Sequence, residues 1–247
     1  RELNEGEAEA LLEIADAREE IEYGFSALDG ARSELNAAQE EINAGMEELK
    51  QAKLVLEETQ KTAYETIEQA EIAITKQITD NEAFVATMDE QLSFFKASMG
   101  AAWSEDVWNT YVNAVTMAYV PYVTAQIMEQ PTGELEVILM QELSDAKTVF
   151  YDSLGMPVDS IPGLSQLAEG YGQVYATNQV LLAKKDALVL QKENAKAEFA
   201  KAWKQIEESE LQLIVAQKQV DDGWDEVDGN HYMLSQALEE LEANEIK

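Results

Sequence analysis

The feature that most constrains the fold is a seven-residue repeat near both ends of the chain, in which large apolar residues alternate with small ones. Residues with this spacing share one face of an α-helix, as the a and d positions of a coiled coil. We call this line of positions the seam. Its large residues are Ile14, Ile21, Leu28, Leu35, Ile42, Leu49 and Leu56 near the start, and Phe199, Ile206, Leu213, Val220, Val227, Leu234 and Leu241 near the end.

The small seam residues indicate how the two helices pair. They include Gly45 and Ala52 in the first series, and Ser209 and Gly223 in the last. In an antiparallel pair each a residue packs beside a d residue, so a large side chain meets a small one in every layer. A parallel pair would stack large on large. The pattern therefore predicts an intramolecular antiparallel hairpin.

Two registers, one heptad apart, satisfy this packing rule. One register pairs Leu28 with Gly223 and Gly24 with Val227. The other pairs Leu28 with Asn230 and Gly24 with Leu234. After Leu56 the heptad shifts by a stutter, an insertion of four residues that relaxes supercoiling locally. The repeat alone leaves both registers open.

The middle of the chain has a different composition, which divides the chain into three parts. All the prolines lie between Gly100 and Gly172, whereas no glycine or proline occurs from Met46 to Met99. We therefore expect a first arm over 1–80, a helical head over 81–180 and a returning arm over 181–247. The fold class is all-α: a long antiparallel coiled-coil hairpin, the shaft, with a small helical head inserted at its distal end.

Local signals predict the helix ends in the head. The first helix should run unbroken to about Met99, and Ser104 followed by two acidic residues is typical of a helix N-cap. The helix after Ser104 should reach about Glu129 with a kink near Pro121. Another should start at Thr132 or Gly133 and end near Gly155, and the last should start near Leu164, after a loop.

Charge and composition exclude several classes of function. The chain carries 17 basic and 49 acidic side chains, a net charge of −32. Binding to nucleic acid needs clustered Lys and Arg, so we expect no nucleic-acid partner. With no cysteine and one histidine, disulfides, thiolate metal sites and multi-histidine metal sites are excluded. We predict no catalytic residue, no metal site and no cofactor, and hence no enzyme.

A group of aromatic residues in the head is the candidate partner-binding patch, because Trp and Tyr are favoured anchors at interfaces. The same side chains would equally fill the core of a small head, and the sequence leaves both readings open. The residues are Trp103, Trp108, Tyr111, Tyr119 and Tyr122.

Two glycines have no packing reason in the sequence. Gly24 and Gly223 are small seam residues, whereas Gly30 and Gly229 lie off the seam. Glycine weakens a helix by about 1 kcal/mol relative to alanine. A flexible point in the shaft is one explanation.

The arms resemble a known family. The stretches LLEIADAREEIEYGFSALDGARSELNAAQEEINAGMEELKQAK and VDDGWDEVDGNHYMLSQALEELEA are similar to the extracytoplasmic coiled-coil insertions of FtsX-like (MacB/LolE-type) ABC transporter permeases from Gram-positive bacteria. The resemblance covers about half of the chain and does not include the head.

The resemblance implies a non-catalytic domain at the extracytoplasmic face of the cell membrane, anchored by transmembrane helices of the same parent chain that flank Arg1 and Lys247. Its implied partners are a cytoplasmic ATPase subunit, through the parent, and an envelope protein or an exported peptide or lipid. Two other functions stay open: a secreted α-helical pore-forming protein, with Val112–Met128 as its membrane-inserting segment, and a coiled-coil scaffold or tether.

Overall fold

The computed structural model describes residues 2–245, and all regular structure among them is helical. Helix α1 spans Glu2–Met99, a short 3-10 turn spans Gly100–Ala102, α2 spans Glu105–Ile127, α3 spans Gly133–Ser153 and α4 spans Leu164–Glu245. The long helix α1 packs against α4, so the prediction of an all-α helical hairpin is confirmed.

Most of the predicted helix ends are confirmed. Helix α1 runs unbroken to Met99, and the Ser104 hydroxyl accepts a hydrogen bond of 3.4 Å from the backbone N–H of Val107, as an N-cap does. Helix α3 ends two residues before Gly155, whose φ of +67° suits the left-handed position after a helix. Pro121 lies inside α2, which continues past it to Ile127.

The chain divides into two compact units. The arm unit comprises residues 1–60 and 197–247, and the head unit comprises residues 61–196. The head unit is larger than the head expected over 81–180 because it also contains paired parts of α1 and α4. One ion pair in this stretch joins Lys192 to Glu71 at 3.7 Å.

The predicted seam lines the contact between α1 and α4 in the arm unit. All the large seam residues are buried or half-buried, and none is exposed. A pair of helices has only one covered stripe on each helix, so half-burial is what such a contact provides. The buried members are Ile21, Leu28, Ile42, Val220 and Val227.

Contacts at three glycines show the register of the arms. A Cβ atom added to Gly24 would lie 2.9 Å from Leu234 Cδ1, one added to Gly223 would lie 2.7 Å from Leu35 Cδ2, and one added to Gly45 would lie 3.0 Å from Leu213 Cδ2. The partner number falls as the number along α1 rises, so the helices are antiparallel. Gly223 faces Leu35 and not Leu28, which selects the register that pairs Gly24 with Leu234.

Polar side chains at the edge of the seam agree with this register. Gln39 and Gln217 donate to each other's side-chain oxygens at 2.7 Å in both directions. The indole N–H of Trp203 donates to Gln60 at 3.0 Å. Each such bond stabilises the fold by about 1 kcal/mol net. A slip of one heptad would break all of them together, so these bonds favour the observed register over its alternative.

The stutter begins earlier than the sequence indicates. Ala52 and Ser209, expected as small seam residues, are exposed, and their neighbours Lys53 and Glu210 are half-buried instead. Lys53 Nζ and Glu210 Oε2 form an ion pair of 2.7 Å across the two helices. The seam therefore turns between Leu49 and Lys53, where long charged side chains replace small ones and cover the contact with their alkyl stems.

The head unit has an aromatic core that brings α2 and α3 onto α4. Two glycines of α4 allow close approach: a Cβ atom on Gly170 would lie 3.0 Å from Met88 Sδ, and one on Gly172 would lie 2.9 Å from the backbone nitrogen of Thr116. Between them, the Tyr171 hydroxyl donates to Asp89 Oδ1 at 2.6 Å. The largest fully buried side chains of the chain, Tyr151, Leu164 and Val115, all lie in this core.

The apolar segment Val112–Met128 lies almost entirely within α2. Val112, Val115, Val123 and Ala125 are buried, so packing within the fold accounts for its apolar character. Among the described residues, no helix carries a stretch that is both long and apolar enough to cross a bilayer.

Alanine substitutions should separate glycines that packing requires from those that it does not. No atom lies within 4 Å of a Cβ added to Gly30 or Gly229. We expect Gly30→Ala and Gly229→Ala each to raise the free energy of unfolding by about 1 kcal/mol, because alanine favours the helix. Gly172→Ala should lower it by roughly 1–3 kcal/mol through overpacking against α2. Denaturant unfolding followed by circular dichroism measures all three, and a loss of stability in Gly30→Ala would contradict this account.

Candidate functional site

An open cleft of about 280 Å³ lies between α2 and α3 on the head unit. These helices run antiparallel, joined by the turn around Gln130. Because the residues that line the cleft recur every three or four positions, they form one stripe on each helix. Helix α2 contributes Asp106, Val107, Thr110, Tyr111 and Ala114, and α3 contributes Ala146, Val149, Phe150 and Ser153.

The floor of the cleft is aromatic and fixed by the core beneath it. The rings of Tyr111 and Phe150 stack with centroids 4.4 Å apart and planes 17° from parallel. Trp108 packs edge-on against Phe150 at 6.2 Å. All three side chains are at most 3% exposed, so neighbouring residues hold their orientation. The cleft is therefore a preformed apolar surface, as binding pockets usually are.

The rim of the cleft is exposed, and the surrounding surface is acidic. Val149 stands at the lip with 61% of its surface exposed, and Asp106 lies at the α2 edge. The two helices together carry seven acidic side chains and one basic one, Lys147. Lys147 is already paired with Asp159 at 3.3 Å. An apolar group with basic neighbours complements this cleft electrostatically.

Of the aromatic residues predicted to bind a partner, the structure places Trp108 and Tyr111 in the core, and gives them a packing role. Tyr119 and Tyr122 are half-buried against the same core. Trp103 is also half-buried, with its indole N–H donating to Glu105 at 2.9 Å and Lys96 Nζ lying 5.5 Å from its ring centroid. Only Tyr111 of this set lines the cleft.

None of the α3 residues that line the cleft was among the site residues predicted from the sequence. Helix α3 does carry surplus apolar residues: Val137, Ile138, Leu139 and Met140 are apolar on every face of the helix, although none of them lines the cleft. A helix with a single covered face needs only one apolar stripe. Leu139 is buried, and Val137, Ile138, Met140 and Val149 are exposed.

Hydrogen bonds hold the loop between α3 and α4 beside this core. The Ser165 hydroxyl donates to Asp159 Oδ1 at 3.1 Å, and the Tyr151 hydroxyl donates to the carbonyl of Ile161 at 3.2 Å. Asp159 adopts a φ of +57°, a conformation that costs a non-glycine residue about 1 kcal/mol or more. Its bonds to Ser165 and Lys147 offset that cost and fix the loop.

Two groups near this loop are perturbed by burial. The Tyr111 hydroxyl is buried and has no hydrogen-bond partner among the described residues, and burial raises its pKa. Burial also raises the pKa of the Glu169 carboxyl, although Lys147 acts in the opposite direction. Within residues 2–245, no group of three or more His, Cys, Asp or Glu side chains is placed to hold a metal ion.

Comparisons of the chain with protein-family models, with curated proteins and with solved structures found no significant match.

Two tyrosine substitutions should have opposite effects on stability. Tyr111→Phe removes a buried hydroxyl that lacks a partner, so we expect the free energy of unfolding to rise by up to about 1 kcal/mol. Tyr171→Phe removes the hydrogen bond to the Asp89 carboxylate and should lower it by roughly 1.5–3 kcal/mol. Thermal and denaturant unfolding of the two variants, compared with wild type, test this contrast. A marked loss of stability in Tyr111→Phe would mean that its hydroxyl has a bonding partner.

Proposed function

We infer that the chain is a non-catalytic recognition and coupling module of an FtsX-like ABC transporter permease, held at the extracytoplasmic face of the cell membrane. The observation that carries this inference is the preformed cleft between α2 and α3. It is apolar at its floor, open to solvent and built on a rigid aromatic core. The resemblance of the arms supplies the permease context.

The arm unit supports the coupling part of the proposal. Leucine side chains fill the spaces at Gly24, Gly45 and Gly223, and the Gln39–Gln217 pair adds direction-specific bonds. Sliding one helix against the other would break these contacts together. The two helices therefore move as one body, which is what relaying a displacement along them requires.

The cleft supports the recognition part. A partner with an apolar side chain or acyl group fits the Tyr111–Phe150 floor, and basic groups beside it fit the acidic surface of α2 and α3. An envelope protein and an exported peptide or lipid both meet this description. The cytoplasmic ATPase subunit acts through the membrane part of the parent chain.

The location is tested with an engineered thiol as the only cysteine of the protein: residues 1–247 contain none, and any cysteine elsewhere in the parent is first replaced by serine. Val137→Cys places a thiol on an exposed position outside the cleft. In intact cells that express the full-length parent protein, a membrane-impermeant maleimide should label this thiol as fully as it does after cell lysis. Labelling only after lysis would contradict an extracytoplasmic location.

The role of the cleft is tested with a matched pair of variants in the same full-length protein. Val149→Glu places a charge at the lip of the apolar cleft, whereas Val137→Glu places the same charge at an exposed position of α3 outside the cleft. We expect Val149→Glu to reproduce the phenotype of deleting the gene, with normal protein levels and normal melting, and Val137→Glu to behave like wild type. Wild-type function in both variants would exclude the cleft as the recognition site.

A further inference from the structure

A second depression lies on the arm unit, on one side of the contact between α1 and α4. Its volume is about 510 Å³. Helix α1 contributes most of its lining, with seam residues Leu49 and Leu213 at its base. The complete lining is Met46, Leu49, Lys50, Lys53, Leu54, Glu57, Glu210, Leu213 and Ile214.

The sides of this depression carry apolar residues at positions that the contact between α1 and α4 does not cover. Met46, Leu54 and Ile214 lie off the seam and are 40%, 53% and 54% exposed, yet all three are apolar. Single exposed apolar residues are ordinary, but several around one concave surface indicate an interaction site. The seam itself accounts for the burial of Leu49 and Leu213 only.

The distribution of charge along the arm unit favours a second copy of the chain as the partner that covers this depression. Residues 46–60 and 201–218, which form the depression and its surroundings, carry seven acidic and five basic side chains. The remainder of the arm unit, residues 1–45, 197–200 and 219–247, carries 23 acidic and four basic ones. A second copy of so acidic a chain meets the least repulsion at this near-neutral segment.

The order of charges along α1 is also complementary to itself. Lys50 and Glu57 both line the depression, four residues before and three residues after Leu54. A two-fold axis through Leu54 places Lys50 of one copy against Glu57 of the other, and the reverse pair forms by symmetry. Such an isologous contact is the commonest kind in homodimers.

We propose that this depression is the interface between two copies of the chain, which pack their arm units against each other about a two-fold axis at Leu54. Met46, Leu54 and Ile214 of each copy cover the apolar sides of the other, and the Lys50–Glu57 pairs set the antiparallel direction of the two copies.

Crosslinking of the whole chain tests the symmetry directly. A residue on a two-fold axis lies beside its own counterpart, so Leu54→Cys should form a disulfide-linked dimer under mild oxidation. Leu190→Cys is the matched control, since Leu190 is equally apolar and 63% exposed but lies in the head unit. Equal crosslinking of the two variants would reflect random collision and would overturn the proposal.

Sedimentation velocity over a range of protein concentrations gives the second test. The wild-type chain should show a species of twice the monomer mass, and Leu54→Glu should lose that species while keeping the wild-type circular dichroism spectrum.

A charge swap tests the Lys50–Glu57 pairs by the same measurement. Lys50→Glu and Glu57→Lys should each weaken the dimer by about tenfold. The double variant Lys50→Glu/Glu57→Lys should restore it, because the swapped charges again face opposite partners. A wild-type chain that is monomeric at every concentration, or a double variant weaker than either single one, would overturn the proposal.

Discussion

Leu35, Leu213 and Leu234 each pack their methyl groups into the space that a glycine leaves on the opposite helix. A large side chain against a small one allows two backbones to approach without a cavity, and the interior density of proteins leaves little tolerance for either a gap or an extra methyl group. In the observed register, Leu35 lies against Gly223, Leu213 against Gly45 and Leu234 against Gly24. The positions of the polar pairs and of the second depression, which includes Leu213, depend on that register.

The head unit uses the same physical device for a different result. Gly170 and Gly172 on α4 remove the side chains that would keep Met88 and the α2 backbone away. Close approach of α2 then buries Trp108 and Tyr111, and the stacked Phe150 brings α3 beside them. The cleft is the space left on the outer side of this aromatic layer. Its shape is thus a consequence of the core, which makes it preformed.

The sequence was sufficient for the fold class and for most helix ends, because heptads, prolines and Ser104 act through local geometry. It was not sufficient for the register. A shift of seven residues leaves a large side chain against a small one in every layer, and only edge residues such as Gln39 and Gln217 distinguish the two registers.

The candidate site was predicted less well than the fold. Periodicity in short helices does not tell a core aromatic from a surface one, so Trp108 was selected and Val149 was missed.

Nuclear Overhauser effects between leucine methyl protons and glycine Hα protons measure the register of α1 against α4 most directly. With methyl-labelled leucine, the account predicts a contact between the Leu35 methyl groups and the Hα protons of Gly223, whose Cβ position lies 2.7 Å from Leu35 Cδ2. It predicts an equivalent contact between Leu213 and Gly45. A contact between the Leu28 methyl groups and Gly223 would instead show the register one heptad away and contradict the account.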